Sequence, residues 1–263
     1  VTGTPLPGSI QVDLSGRVAV VTGGSRGLGR QMVLAFARCG ADVVIASRKL
    51  ANCEAVAAEV EALGRRALPV ACNVSDWGQA ESLAATALEH YGHVDVLVNN
   101  AGLSPLYPTV DDVTEALWDK VIGVNLKGPF RLAARLGTEM QRAATEGRRP
   151  GGSIINISSI AAIRQTADVV PYSAAKAGLN AMTVGLAHAF GPHVRVNCIQ
   201  AGPFMTDITK AWDVPAFEEN ARRTMALQRG GQPEEVVGAA LYFASDASSY
   251  CTGAVLRLDG GVP

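Results

Sequence analysis

Disulfide chemistry, metal ligation and membrane insertion are each argued against by what this chain of 263 residues lacks. Its five cysteines, Cys39, Cys53, Cys72, Cys198 and Cys251, are odd in number, widely spaced and without a CxxC pair. That pattern excludes a disulfide framework or a zinc site of the usual spacing, and predicts reduced thiols in a cytoplasmic setting. No apolar run approaches the roughly 18 residues of a membrane-spanning helix. The first ten residues carry neither a basic nor an apolar leader segment, so no signal peptide is expected. Neither sign of charge is in excess: 23 Lys and Arg oppose 24 Asp and Glu. A nucleic acid or an anionic membrane is therefore not an expected partner. What is present, 48% hydrophobic and 18% charged residues, suits a globular chain with a well-covered sheet.

Residues 1–16 are rich in Pro and Gly and are expected to form a flexible arm. From 17 to 263 no linker, repeat or composition break appears, which predicts one domain. Val18-Ala19-Val20-Val21-Thr22 reads as a buried strand running into Gly23-Gly24-Ser25-Arg26-Gly27-Leu28-Gly29. Helical spacing follows from Arg30 and stops at Gly40, a C-cap signal. A strand, a glycine turn and a helix start suit a pyrophosphate: small residues admit it and the helix N-terminus offers free N–H groups. The spacing of Gly23, Gly27 and Gly29 is not the usual GxGxxG.

The second strand, 41–46, ends at Ser47-Arg48-Lys49, with no acidic residue to hold a ribose 2′-OH. Arg48 and Arg26 could instead clamp a 2′-phosphate, which favours NADP(H) over NAD(H). The alternation continues as helix 50–63, strand 66–71, helix 76–90, strand 94–98, helices within 111–144, strand 152–157, helix 172–190, strand 193–198, helix 233–244 and strand 253–257. Helices between hydrophobic strands imply an α/β fold whose parallel sheet is covered on both faces.

Chemistry concentrates between Gly151 and Leu179. A strand rich in β-branched residues ends at Ser158-Ser159, and Tyr172-Ser173-Ala174-Ala175-Lys176 opens a helix. Tyr172 and Lys176, four apart, share one helix face. A phenol of pKa about 10 is a poor proton carrier at neutral pH unless a nearby cation stabilises its phenolate. Lys176 can supply that charge, and Ser159 can hold a carbonyl oxygen beside the phenol. Three further stretches stand at strand C-termini, where open α/β sheets bind ligands: Asn73-Val74, Asn99-Asn100-Ala101-Gly102 and Ala201-Gly202-Pro203-Phe204-Met205-Thr206. Adjacent asparagines can tie neighbouring loops through their amides. Asn125 lies inside helical sequence, where it marks a local bend or an interhelix hydrogen bond.

Together these motifs, with the closing Leu258-Asp259-Gly260-Gly261 and the thirteen-residue step from Ser159 to Tyr172, resemble the short-chain dehydrogenase/reductase family over residues 14 to 260. The likeness extends to its 3-oxoacyl-[acyl-carrier-protein] reductase and gluconate 5-dehydrogenase-like members. The resemblance implies a Rossmann-type doubly wound sheet of seven parallel strands flanked by helices, and a nicotinamide cofactor. Tyr172 would then be the general acid or base, Lys176 would hold the nicotinamide ribose, Ser159 would orient the carbonyl, and Asn125 would hold a water on the proton path. Gly23, Ser25, Arg26, Gly27, Leu28 and Gly29 would cradle the cofactor, with Ser47 and Arg48 at its adenosine end. Asn73 and Val74 would flank the adenine, and Asn99, Ala101 and Gly102 would continue the wall. Gly202, Thr206 and the Phe204 backbone would meet the nicotinamide end. Where the family has Pro-Gly after strand six, this chain has Ala201-Gly202-Pro203, which leaves that loop's path open.

The expected activity is NADPH-dependent reduction of a ketone or aldehyde, reversible as alcohol oxidation. An enoyl-thioester reductase and a non-catalytic NADP(H)-binding regulator are the alternatives. Residues 203–228 read either as a substrate lid, with Phe204, Met205, Ile208, Trp212, Val214 and Phe217 for an apolar wall, or as an amphipathic packing helix. Gln165 is expected to be a polar substrate contact. By resemblance the chain would be a homotetramer pairing the helices around 111–144 and the last helix and strand, and the Ala-rich Leu132–Met140 surface would permit close packing.

Overall fold

The computed structural model describes residues 12–206, 209 and 213–263. Its sheet consists of β1 (Val18–Thr22), β2 (Asp42–Ser47), β3 (Ala67–Ala71), β4 (Val96–Asn99), β5 (Gly152–Ser159), β6 (Val194–Ala201) and β7 (Val255–Leu258). All seven are parallel, in the order β3-β2-β1-β4-β5-β6-β7. The connecting helices are α1 (Gly27–Arg38), α2 (Leu50–Ala62), α3 (Trp77–Tyr91), α4 (Glu115–Ile122), α5 (Gly128–Thr145), α6 (Val170–Phe190), α7 (Val214–Thr224) and α8 (Val237–Ala244).

Parallel strands buried on both faces need two apolar sets, and β1 shows how one strand supplies both. Ala19 and Val21 enter the core that contains Phe36 of α1 and Phe243 of α8. Val18 and Val20, pointing the other way, join Leu83 of α3 and Leu136 of α5. The doubly wound architecture expected from the sequence is therefore the observed one. The strand order reverses direction between β1 and β4, and such a switch point opens a crevice at the strand C-termini.

Several expected boundaries move. Leu14 is buried and its N–H donates to the Cys39 carbonyl over 2.7 Å, so ordered packing begins before residue 17. The rest of the anticipated arm, residues 1–11, lies outside the described residues. β5 and β6 run two and three residues past their expected ends at 157 and 198, because Ser159 pairs in register with Ala201 and Ala201 with Leu258. The expected helix 233–244 starts as a 3₁₀ turn, Pro233–Val236, before α8. Within the α5 stretch Leu132–Met140, expected to permit close packing between copies, one face turns inward while Thr138 is exposed. Leu132, Ala133, Leu136 and Met140 are buried in this chain's own core, and Phe130 is exposed. Periodicity marks such a stripe without saying which surface will cover it. Among the described residues no helix is long and apolar enough to cross a membrane.

Candidate active site

A cleft of about 1320 Å³ opens along the C-terminal ends of the strands. Its floor at one end is the β1–α1 turn. Gly23 has φ of +65°, a left-handed conformation that favours glycine, and a Cβ there would lie 2.8 Å from the Asn100 amide nitrogen. A Cβ on Gly29 would collide with the Gly23 carbonyl, so α1 approaches the turn only because both residues are glycine. The expected tie between loops is made by Asn100: its amide donates to the Thr22 and Gly23 carbonyls over 2.9 and 3.2 Å. Thr22 completes it, its hydroxyl accepting from the N–H groups of Asn100 and Ala101. The α1 N-cap residue, Arg26, makes no side-chain capping bond, and the first turn carries no acidic residue. An uncapped helix N-terminus facing a glycine turn fits a pyrophosphate.

Ser25, Arg26, Gly27 and Leu28 line this end, and Ser47 and Arg48 line it from the tip of β2. Lys49 and Asn52, at the start of α2, stand with them. The sequence reading did not single these two out as ligands, although their place just after a strand C-terminus was a signal. Ser47 Oγ lies 3.0 Å from Cys53 Sγ beneath it. Asn73 and Val74 form the neighbouring wall. The Asn73 side-chain oxygen accepts from the Ser75 hydroxyl over 2.9 Å, which orients it within its own turn.

At the other end, Ser159 is the last residue of β5, while Tyr172 and Lys176 project from α6; all three line the cleft. The Lys176 ammonium is 5.6 Å from the centre of the Tyr172 ring and donates to the Ile157 carbonyl over 2.8 Å. Burial lowers the Lys176 pKa to about 8. Burial also pushes the Tyr172 phenol above its ordinary value, and the adjacent Ser159 hydroxyl pulls in the opposite direction. A pKa raised above the ordinary value of about 10 keeps the phenol protonated at neutral pH.

Asn125 sits in a single wide π turn, Gly123–Lys127, between α4 and α5. It is fully buried; its amide donates to the Leu103 and Val121 carbonyls over 2.8 and 2.9 Å. It stands behind the cleft rather than on its wall. A Cβ on Gly102 would lie 3.1 Å from its side-chain oxygen and 3.7 Å from the Lys176 nitrogen, so the three residues meet at one point. Ala101 and Gly102 line the cleft, whereas Asn99 is buried, donating to Asn156 and to the Pro129 carbonyl. Gln165 does not face the cleft: it is exposed, and its amide donates to the Ala162 carbonyl. Asp168 and Val169 occupy the wall there instead.

Backbone bonds hold the loop after β6, where no proline precedes Gly202. The Gly202 N–H donates to the Leu258 carbonyl over 2.9 Å, and Gly202 packs directly on Asp259. Pro203 and Met205 are each bonded to Gly231, again through the backbone. Gly202, Phe204 and Thr206 thereby line the cleft, and Thr206 faces Gly27 across it. From the expected 203–228 lid, Phe217, Asn220, Thr224 and Met225 reach the wall. Ile208 and Trp212 lie outside the described residues.

Lys176 gives the protein a pH signature. Its folded pKa lies below its ordinary value of 10.5. Between about pH 8 and 10.5 the unfolded chain therefore holds more protons, and stability contributed at this position rises with pH. The unfolding free energy of the wild type minus that of Lys176→Met is expected to be flat below pH 7. It should then climb by at most about 1.4 kcal/mol per pH unit across that window. Denaturant melts of both proteins at several pH values measure it; a flat difference would show that Lys176 is not desolvated.

A doubly wound sheet with a phosphate-suited glycine turn and a Ser-Tyr-Lys constellation on one cleft defines a dinucleotide-dependent oxidoreductase. Comparison with known proteins agrees. A family model described as enoyl-(acyl carrier protein) reductase matches residues 23–263. Dehydrogenase/reductase SDR family member 4 of Oryctolagus cuniculus is 35% identical over 252 residues, 95% of this chain and 95% of that protein. Two solved structures are similar throughout. One is 7 alpha-hydroxysteroid dehydrogenase complexed with NADH and 7-oxo glycochenodeoxycholic acid, with TM-score 0.89, 30% identity and 96% of each chain covered. The other is 3-oxoacyl (acyl-carrier-protein) reductase from Agrobacterium tumefaciens C58 with NADP bound, with TM-score 0.87, 32% identity and 95% and 96% covered. The chain belongs to the short-chain dehydrogenase/reductase family. It is an NAD(P)-dependent oxidoreductase acting on CH–OH or C=O groups.

Proposed function

We propose that the protein is an NADPH-dependent reductase of a ketone or aldehyde, reversible as an alcohol dehydrogenase. The observation that carries this reading is the convergence of Ser159, Tyr172 and Lys176 on a cleft whose far end is lined by Arg26, Arg48 and Lys49. A nicotinamide bound there would supply or take the hydride. Tyr172 gives its proton to the carbonyl oxygen as charge develops on it, and Ser159 holds that oxygen by donating its own O–H. Lys176 stabilises the phenolate left behind. Asn125, behind Lys176, would hold a water that returns a proton to it. Ser25, Gly27 and Leu28 would receive the pyrophosphate at the α1 N-terminus, with the backbones of Phe204 and Thr206 opposite.

Preference for NADP(H) over NAD(H) is supported by charge. No carboxylate lines the adenosine end among the described residues, and Arg26, Arg48 and Lys49 do. A cytoplasmic location suits the five free thiols. Assembly as a homotetramer belongs to the same reading, with support from exposed Trp118, Phe130 and Val184 on α4, α5 and α6 and from the exposed β7 residues Val255 and Leu256. Parallel fluorescence titrations with NADPH and NADH, followed by a ketone and aldehyde panel, test the proposal. Tighter NADPH binding and NADPH-linked carbonyl reduction are expected. The family model's description makes enoyl-thioester reduction the second reading; NADPH oxidation with an enoyl-CoA and with no carbonyl compound would replace the first by it.

A further inference from the structure

The charges of the cleft are sorted along its length. Arg26, Arg48 and Lys49 line the adenosine end, and Lys176 stands at the phenol. Lys120 lies one turn before Gly123, which packs on Ser75, so it too belongs to the adenine side. Asp168 is the one carboxylate among the described lining residues, and it is at the opposite end, four residues before Tyr172.

Its position is fixed by a side chain from another loop. Asp168 is the middle residue of a 3₁₀ turn, Ala167–Val169, that leads into α6. The Tyr107 hydroxyl donates to the Ala167 carbonyl over 2.8 Å and accepts from the Val170 N–H over 2.7 Å. One hydroxyl thus brackets the turn on both sides of Asp168. The carboxylate makes no hydrogen bond or ion pair among the described residues. The same cleft is lined by Leu106, Val169, Phe217 and Met225, with Asn220 and Thr224, all apolar or neutral. Of the described cations at that end, Lys176 is buried, and Arg223, which does not line the cleft, donates from its guanidinium to the Asn220 side-chain oxygen over 3.2 Å.

Resting on the carbonyl chemistry proposed above, we propose that Asp168 determines substrate charge. It selects an apolar ketone or alcohol that is neutral or carries an amine over one that carries a carboxylate or phosphate. A unit charge at contact range of an exposed carboxylate, in a largely aqueous dielectric, changes relative kcat/KM by about five- to tenfold. The effect shrinks as salt rises.

The test uses three ring ketones of similar shape with NADPH: 4-methylcyclohexanone, 4-oxocyclohexanecarboxylate and 4-(dimethylamino)cyclohexanone, the last protonated at neutral pH. The wild type should turn over the carboxylate worst. In Asp168→Asn the carboxylate-to-methyl ratio of kcat/KM should rise about five- to tenfold and the amine-to-methyl ratio should fall. Asp168→Glu should restore both ratios, and high salt should compress them in the wild type. Ratios that are the same in wild type and Asp168→Asn, with the methyl ketone reduced, would overturn the role of Asp168 alone. Turnover of none of the three by NADPH-loaded protein would overturn the carbonyl reading and, with it, this one.

Discussion

Tyr172→Phe is expected to lower kcat for carbonyl reduction by about 10²–10⁴-fold, the usual contribution of a positioned acid or base. The substitution removes one hydroxyl and keeps the ring that packs beside Lys176, so the NADPH dissociation constant should move by less than about threefold. The protonation state makes the expectation directional. Because burial raises the phenol's pKa, the wild type at neutral pH holds the proton that reduction consumes. Oxidation of the alcohol needs the phenolate and should speed up as pH rises, while reduction should slow once the phenol titrates. Steady-state NADPH oxidation and NADP⁺ reduction across a pH series, with cofactor titration of the variant, give both quantities. Turnover of Tyr172→Phe within a few-fold of wild type would remove Tyr172 from the reaction. Loss of NADPH binding in parallel would recast it as a cofactor contact.

Arg48→Glu is expected to weaken NADPH binding by about 10- to 100-fold and to leave NADH binding within a few-fold. A charge-assisted hydrogen bond to a phosphate is worth about 1.5–3 kcal/mol. Reversing the charge removes that bond and sets a carboxylate against the 2′-phosphate, whereas the same carboxylate can accept from the 2′-OH of NADH. Lys49 and Asn52 line the same corner and set the lower bound, since their contacts survive. The fold does not make this choice. Of the two similar structures, one is complexed with NADH and the other has NADP bound, so the shared fold alone does not select the cofactor, and the proposed selection rests on side chains such as Arg26 and Arg48. Equal weakening of both cofactors would assign Arg48 to packing or to a phosphate they share. Tighter NADH than NADPH binding by the wild type would reverse the proposed preference.

How far the site was legible depended on the range of the forces involved. The glycine turn could be read from sequence because Gly23 and Gly29 answer to backbone geometry within seven residues. Tyr172 and Lys176 could be read because an α-helix puts residues four apart on one face wherever it occurs. Asn125 was visible as an oddity in helical sequence but not as a π turn. That turn depends on the Leu103 loop meeting its amide, and the two are 22 residues apart. That Gln165 does not line the cleft has a related reason. Between Ile160 and Val170 there is no periodicity to say which side chains face inward, and the Tyr107 clasp that turns Asp168 toward the cleft is about 60 residues away.

Taken by itself, the sequence determined the strand–helix alternation, the parallel sheet covered on both faces, the phosphate-suited turn and the Ser159-Tyr172-Lys176 set. The first three follow from local backbone preference and from the demand that apolar stripes be buried; the last combines the shared helix face of Tyr172 and Lys176 with a resemblance to the family that singles out Ser159. Only the tertiary structure decided where those stripes are buried, as with Leu132, Ala133, Leu136 and Met140, which join this chain's own core. It also decided the course of the Ala201-Gly202-Pro203 loop, which is held by Leu258 and Gly231 instead of by a proline ring. And it decided that one carboxylate, Asp168, unpaired among the described residues, lines the cleft at the end away from Arg26 and Arg48. The reason is common to all three: the deciding contact comes from a segment distant in the chain, whose arrival no local pattern encodes.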